Sequence, residues 1–174
     1  MPYFRLNTKV MYIVSNVELE EICKKMVIGA KSDYSVYYPH IYILYKTGCR
    51  IGEVFDFRTH YNEEKSTINI IAQKKNYVRD IPVDETFNLE MLNRLMNRQD
   101  LFYLNIRNLQ RTLKKLMPIS NIFCGKKNIG AHIFRHNYIR KLLADGKTIE
   151  EINEHMGYTR QTVEDTYLSA IIYY

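Results

Sequence analysis

The sequence predicts a mostly α-helical domain carrying one small antiparallel β-hairpin or sheet, an α+β arrangement. Apolar residues recur at helical spacing along most of the chain. That spacing gives way once, between Ser66 and Val83, to β-branched and alternating residues. The length of 174 residues suits a single domain. A chain of this size buries roughly 70% of the surface its unfolded form exposes, enough for a core without disulfide or metal staples.

The elements follow in order. Ser15 with Glu18 three residues on, ahead of Val17, Leu19, Ile22, Cys23 and Met26, forms a capping box before an amphipathic helix that ends near Gly29. Pro39 opens a second helix through Ile41, Ile43, Leu44 and Tyr45, broken at Thr47-Gly48, and a short helix runs from Ile51 to about Phe57. Ser66 to Ala72 and Asn76 to Val83 are two strands of a hairpin whose turn holds Gln73, Lys74, Lys75 and Asn76. Asp84 caps a helix bearing Phe87, Leu89, Met91, Leu92 and Leu95. Asn105 starts another with Leu109, Leu113 and Leu116, stopped by Pro118. After a basic loop at Gly125 to Asn128, helices are expected over 131–143, 149–156 and 160–167, with Gly146 and Gly157 at C-terminal ends.

Composition narrows the function. Hydrophobic residues are 46% and charged residues 25%, the proportions of a globular protein, and no apolar run approaches the ~20 residues of a membrane span. Lys and Arg number 25 against 19 acids, and the net charge of +6 favours a polyanionic partner. Cys23, Cys49 and Cys124 are odd in number and widely spaced, which argues against a disulfide framework or a zinc site and for a reducing compartment. Fifteen tyrosines with no tryptophan, alongside much Ile, Lys and Asn, have the look of AT-rich coding and single out no tyrosine.

Four local patterns carry chemistry. In His132-Ile133-Phe134-Arg135-His136, residues 132, 135 and 136 share a helix face. In Thr47-Gly48-Cys49-Arg50-Ile51-Gly52-Glu53, a glycine turn sets Arg50 at a helix start, where its fork and the free amides can meet a phosphate. Lys74 sits in the hairpin turn, and Gly157-Tyr158 precedes Tyr167 by nine residues counted from Tyr158. Each pattern alone is more often structural: a polar helix face, an Arg50–Glu53 surface pair, a solvated lysine.

Together, and in this order, they resemble the catalytic domain of the tyrosine recombinases, the phage-integrase family, over residues from about 15 to 168. The family's pattern is an arginine in T-G-x-R-x-x-E, a lysine on a β-hairpin, an H-x-x-R pair, a His or Trp after a glycine, and a tyrosine nine residues later. The resemblance implies the tyrosine recombinase catalytic-domain fold and a site-specific recombinase that cleaves and rejoins DNA through a 3′-phosphotyrosine. The catalytic set would be Arg50, Lys74, His132, Arg135, Tyr158 and Tyr167, with no metal or other cofactor. Tyr158 departs from the family's His or Trp, and its phenol is expected to supply the same hydrogen bond to a phosphate oxygen, with His155 one turn earlier as the competitor. DNA contacts are expected at Lys75, Arg79, Lys126, Lys127, His136, Arg140 and Arg160.

The resemblance also implies double-stranded DNA as partner, a tetramer on paired sites with a monomer free in solution, no membrane, and a cytoplasmic protein that is prokaryotic or encoded by a phage or mobile element. Only about fourteen residues precede the first helix. Residues 1–174 therefore look like one catalytic domain without the family's core-binding domain, an excised fragment more than a minimal enzyme. A catalytically dead DNA-binding regulator is supported only by Tyr158, and a type IB topoisomerase fits the length and spacing less well. A helix-turn-helix binder on 131–160 leaves the lysine and the distal motifs unexplained.

Overall fold

The computed structural model describes residues 37–55, 59–72, 77–89, 93, 105–116 and 131–158. Helices α1 (Tyr38–Thr47) and α2 (Ile51–Phe55) lead into strands β1 (Thr59–Asn62), β2 (Thr67–Ile71) and β3 (Val78–Pro82). Helices α3 (Ile106–Leu116), α4 (His132–Ala144) and α5 (Ile149–Met156) follow. The expected helix at Ser15–Gly29, the turn 73–76, the loop 125–128 and the helix 160–167 lie outside the described residues, as does most of the helix expected after Asp84. At Asp84 itself the carboxylate accepts from both the amide and the hydroxyl of Thr86.

The core is built around α1. Ile41, Tyr42, Ile43 and Leu44 are consecutive and all buried, so the middle of this helix is enclosed on every side. It packs against α4 and α2, and α4 packs against α5. Ile68 and Ile70 of β2 and Ile81 of β3 face the same core from the sheet, together with Leu109, Leu113 and Phe134. A smaller cluster of Ile139, Ile152 and Met156 joins α4 to α5.

Among the described residues the sheet has three strands in the order β1-β2-β3, all antiparallel. The predicted hairpin is present, with Ile68 opposite Ile81 and Ile70 opposite Arg79. Pro82 is tolerated at the end of β3 because β3 is an edge strand. Strand β1 was not expected. Thr-His-Tyr-Asn is too short and polar to show alternation, and Ser66, assigned to a strand from sequence, instead closes the β1–β2 turn at a φ of 49°.

Helix ends fix the turns that matter. Asn105 caps α3 through Asn108. Thr148 and Glu151 form a reciprocal capping box on α5, and Gly157 ends it with a φ of 64°. Gly48 ends α1 with a φ of 60°, and its amide donates to Leu44 O. A Cβ at Gly48 would lie 2.6–2.7 Å from the Tyr138 ring of α4. Left-handed backbone and van der Waals overlap then act together, so Gly48→Ala is expected to cost about 2 kcal/mol or more, read as a lower denaturation midpoint with unchanged m.

Candidate active site

Each residue of the Thr47–Glu53 segment has a local task. Thr47 is buried, donates its hydroxyl to Ile43 O at 2.7 Å and accepts from the Cys49 amide at 3.3 Å. Glu53 is 1% exposed, accepts the Arg50 amide at 2.7 Å and pairs with Arg50 Nη1 at 3.1 Å. The amides expected to be free for a phosphate at this helix start are thus occupied at Cys49 and Arg50. What remains is the Arg50 guanidinium, 22% exposed, steered by a buried carboxylate. The Arg50–Glu53 pair is real, and it orients the arginine.

Arg135 comes from α4 and is 2% exposed. Its Nη1 donates to Gly48 O at 2.8 Å, its Nη2 to Met156 O at 3.1 Å, and its Nε to the hydroxyl of Tyr158. Tyr158 is delivered by the turn at Gly157, where its amide reaches back to Asn153 O at 2.9 Å. The Arg135 guanidinium lies 4.6 Å from the centre of the Tyr158 ring and that of Arg50 5.9 Å. One phenol therefore receives both cations. Because its oxygen accepts from Arg135, the hydroxyl proton is left to be donated elsewhere.

Three imidazoles surround this positive centre and are held neutral. His132, at the first turn of α4, has its pKa lowered by partial desolvation, then by Arg135 and Arg50, even though its outer edge reaches solvent. His136 is lowered to about 4 by desolvation, His132 and Arg135. His155 is lowered to about 4 by desolvation, then chiefly by Arg79 and Arg135. Burial raises the pKa of Tyr138, and its hydroxyl shares a hydrogen bond of 3.0 Å with His155 Nε2.

Arg50, His132, Arg135 and Tyr158 are thus brought together from segments far apart in sequence. Several expectations need correction. Arg79 is 3% exposed and its fork contacts Thr47 O and Met156 Sδ, so it is no surface contact for DNA. His136 is half-buried and uncharged at neutral pH, hence no cation for a phosphate. His155, the competitor for Tyr158, is engaged by Tyr138. Arg140 is half-buried on α4. Lys74, Lys75, Lys126, Lys127, Arg160 and Tyr167 lie outside the described residues. Sequence reasoning missed Tyr138, which both packs on Gly48 and holds His155; its place at 132 plus six on α4 carried no distinguishing signal. Among the described residues no three His, Cys, Asp or Glu side chains cluster as a metal site, and no helix is long and apolar enough to cross a membrane.

The fold is shared with solved recombinase structures. An XerA recombinase is 20% identical, with a TM-score of 0.59 over 93% of this chain and 63% of that one. The XerH site-specific recombinase bound to difH substrate is 15% identical, with a TM-score of 0.65 over 88% of this chain and 49% of that one. The Tn1549 transposon integrase in complex with circular intermediate DNA is 19% identical, with a TM-score of 0.63 over 95% and 65%. The chain therefore spans between about half and two thirds of the length of these proteins. No curated protein sequence matches it. The model of the phage integrase family matches residues 14–170, nearly the whole chain and all four motif regions, and the chain belongs to that family.

Proposed function

We propose that the chain is the catalytic domain of a site-specific DNA recombinase that cuts and rejoins strands through a 3′-phosphotyrosine. The observation that carries this is the convergence of Arg50 and Arg135 on one tyrosine ring beside a neutral His132. It is the arrangement a phosphodiester transition state needs: two permanently charged forks for the non-bridging oxygens and a base for the incoming nucleophile. The recombinase structures of the same fold include DNA complexes, which supports DNA as this chain's substrate.

In this chemistry Tyr167 Oη attacks the phosphorus and the bond to the 5′-oxygen breaks. A phenol with a pKa of about 10 is scarcely ionised at neutral pH, so His132 accepts or relays its proton. Lys74 gives a proton to the departing 5′-oxygen. Arg50 and Arg135 neutralise the charge that gathers on phosphorus, and Tyr158 donates its remaining hydroxyl proton to one of those oxygens. The ester energy stays in the phosphotyrosine, and attack by another strand's 5′-hydroxyl reverses the steps. Lys75, Lys126, Lys127, Arg140 and Arg160 would meet the flanking backbone. A tetramer on paired duplex sites, in a reducing cytoplasm that keeps Cys49 a thiol, completes the proposal.

Three outcomes test it. Incubation with nicked suicide DNA followed by denaturing electrophoresis is expected to trap a covalent band with the natural chain and none with Tyr167→Phe; a band that persists in the variant removes Tyr167 as nucleophile. Because the His132 pKa is lowered, the active neutral form persists to lower pH. The acid limb of the cleavage profile should therefore lie below that of an ordinary imidazole, and His132→Gln should lose that limb along with roughly 10²–10⁴-fold in rate. Tyr158→Phe deletes the donor to phosphate and the acceptor for Arg135 Nε–H, and is expected to slow single-turnover cleavage by about tenfold or more. A wild-type rate in that variant rules out the hydrogen-bond role.

A further inference from the structure

Arg79 is a cation that the proposed chemistry leaves unused, and it stands in an unfavourable place. Its side chain crosses from β3 into the interior behind Arg135. Among the described residues it has no carboxylate within ion-pair distance, and its Nη2 is buried with no hydrogen-bond partner. Desolvation lowers its pKa by more than Cys49, Glu53 and Tyr138 raise it, and the positive charge of Arg135 adds to the lowering. Methionine or leucine would fill such a position without the cost of burying a charge.

The two contacts it does make are informative. Arg79 Nη1 donates to Thr47 O at 3.3 Å and to Met156 Sδ at 3.2 Å. Arg135 donates to the carbonyl of Gly48, next in the chain after Thr47, and to the carbonyl of Met156 itself. The two guanidinium groups therefore meet the same two places, the end of α1 and the last residue of α5: Arg79 comes from the sheet and reaches the Met156 sulfur, Arg135 comes from α4 and reaches the Met156 carbonyl. We propose that Arg79 is a positioning residue for Arg135: it holds the ends of α1 and α5 at the separation that the Arg135 fork spans, and thereby sets the angle at which Arg135 and Tyr158 meet the phosphate. This rests on the assignment of Arg135 to the phosphate above.

The test is a double-mutant cycle. Arg79→Met and Arg79→Lys are made alone and in an Arg135→Lys background. Each is measured for single-turnover cleavage of nicked suicide DNA and for DNA affinity by fluorescence anisotropy at fixed salt. The Arg135 Nε–H resonance is followed by ¹⁵N NMR in the DNA-free protein, and is identified by its loss in Arg135→Lys. Arg79→Met alone is expected to lower cleavage by about 10- to 100-fold with affinity changed less than about threefold, since a small misplacement of a catalytic group suffices for such a loss. In the Arg135→Lys background the same change should cost less than about threefold. The Arg135 Nε–H signal should shift and exchange faster in Arg79→Met, with partial recovery in Arg79→Lys, which keeps the charge and one donor.

A full loss of rate in both backgrounds, or an Nε–H signal that does not change, overturns the proposal. If Arg79→Met does not fold, the Arg79→Lys pair makes the same comparison. Failure of the natural chain to give a Tyr167-dependent covalent product would sink the recombinase assignment instead, and the NMR measurement would still decide whether Arg79 orients Arg135.

Discussion

Everything in the site hangs on where the Arg135 guanidinium is satisfied. The last turns of α1 and α5 each leave carbonyls without helical donors, and these ends carry partial negative charge. Arg135 answers both, through Gly48 O and Met156 O, and gives its third donor to Tyr158. Among the described residues, a cation buried to 2% exposure is thereby held by helix ends and not by a carboxylate. Neutralisation by a carboxylate would have spent the charge; carbonyls leave it in force. The clasp that joins α4 to α1 and α5 is also the charge that the proposed chemistry uses.

The balance of charge around it is uneven by design of the fold. Arg50, Arg79 and Arg135 surround a region where Glu53 is a buried carboxylate already committed to the Arg50 amide and guanidinium. Desolvation first, and then this surplus, push the three nearby imidazoles toward the neutral form. An anion entering here would be met by fixed dipoles and cations in a partly dehydrated setting, where they act more strongly than in water. Cys49 lies in the same region, yet burial raises its thiol to about 11, so it remains inert packing.

How much of this the sequence disclosed depended on whether a signal was local. Pro39, Gly48, Gly146 and Gly157 mark helix ends because backbone geometry demands them, and the β2–β3 alternation is plain in Thr67–Ile71 and Val78–Pro82. Arg50 and Arg135 stood out through residues beside them in sequence. Strand β1 stayed hidden because four polar residues acquire strand structure only by pairing with β2. Arg79 reads from sequence as a surface contact because arginine is seldom buried without a charged partner. Its inward orientation is set by Ile81, two residues on and on the same face, which must reach the core. The capping box of Thr148 and Glu151 is itself legible in the sequence, as a threonine three residues ahead of a glutamate.

The contact between Gly48 and Tyr138 carries an evolutionary consequence. The two positions, ninety residues apart, form one filled volume: any side chain gained at 48 requires bulk surrendered at 138. Surrendering the phenol would also release His155 from its hydroxyl partner, and with it a neutral ring close to the arginines. Drift at position 48 is thus blocked twice, once by shape and once by the loss of the hydrogen bond at the tip of the same side chain. The two sites can change only together, and a lineage that altered one would carry the record of that change in the other.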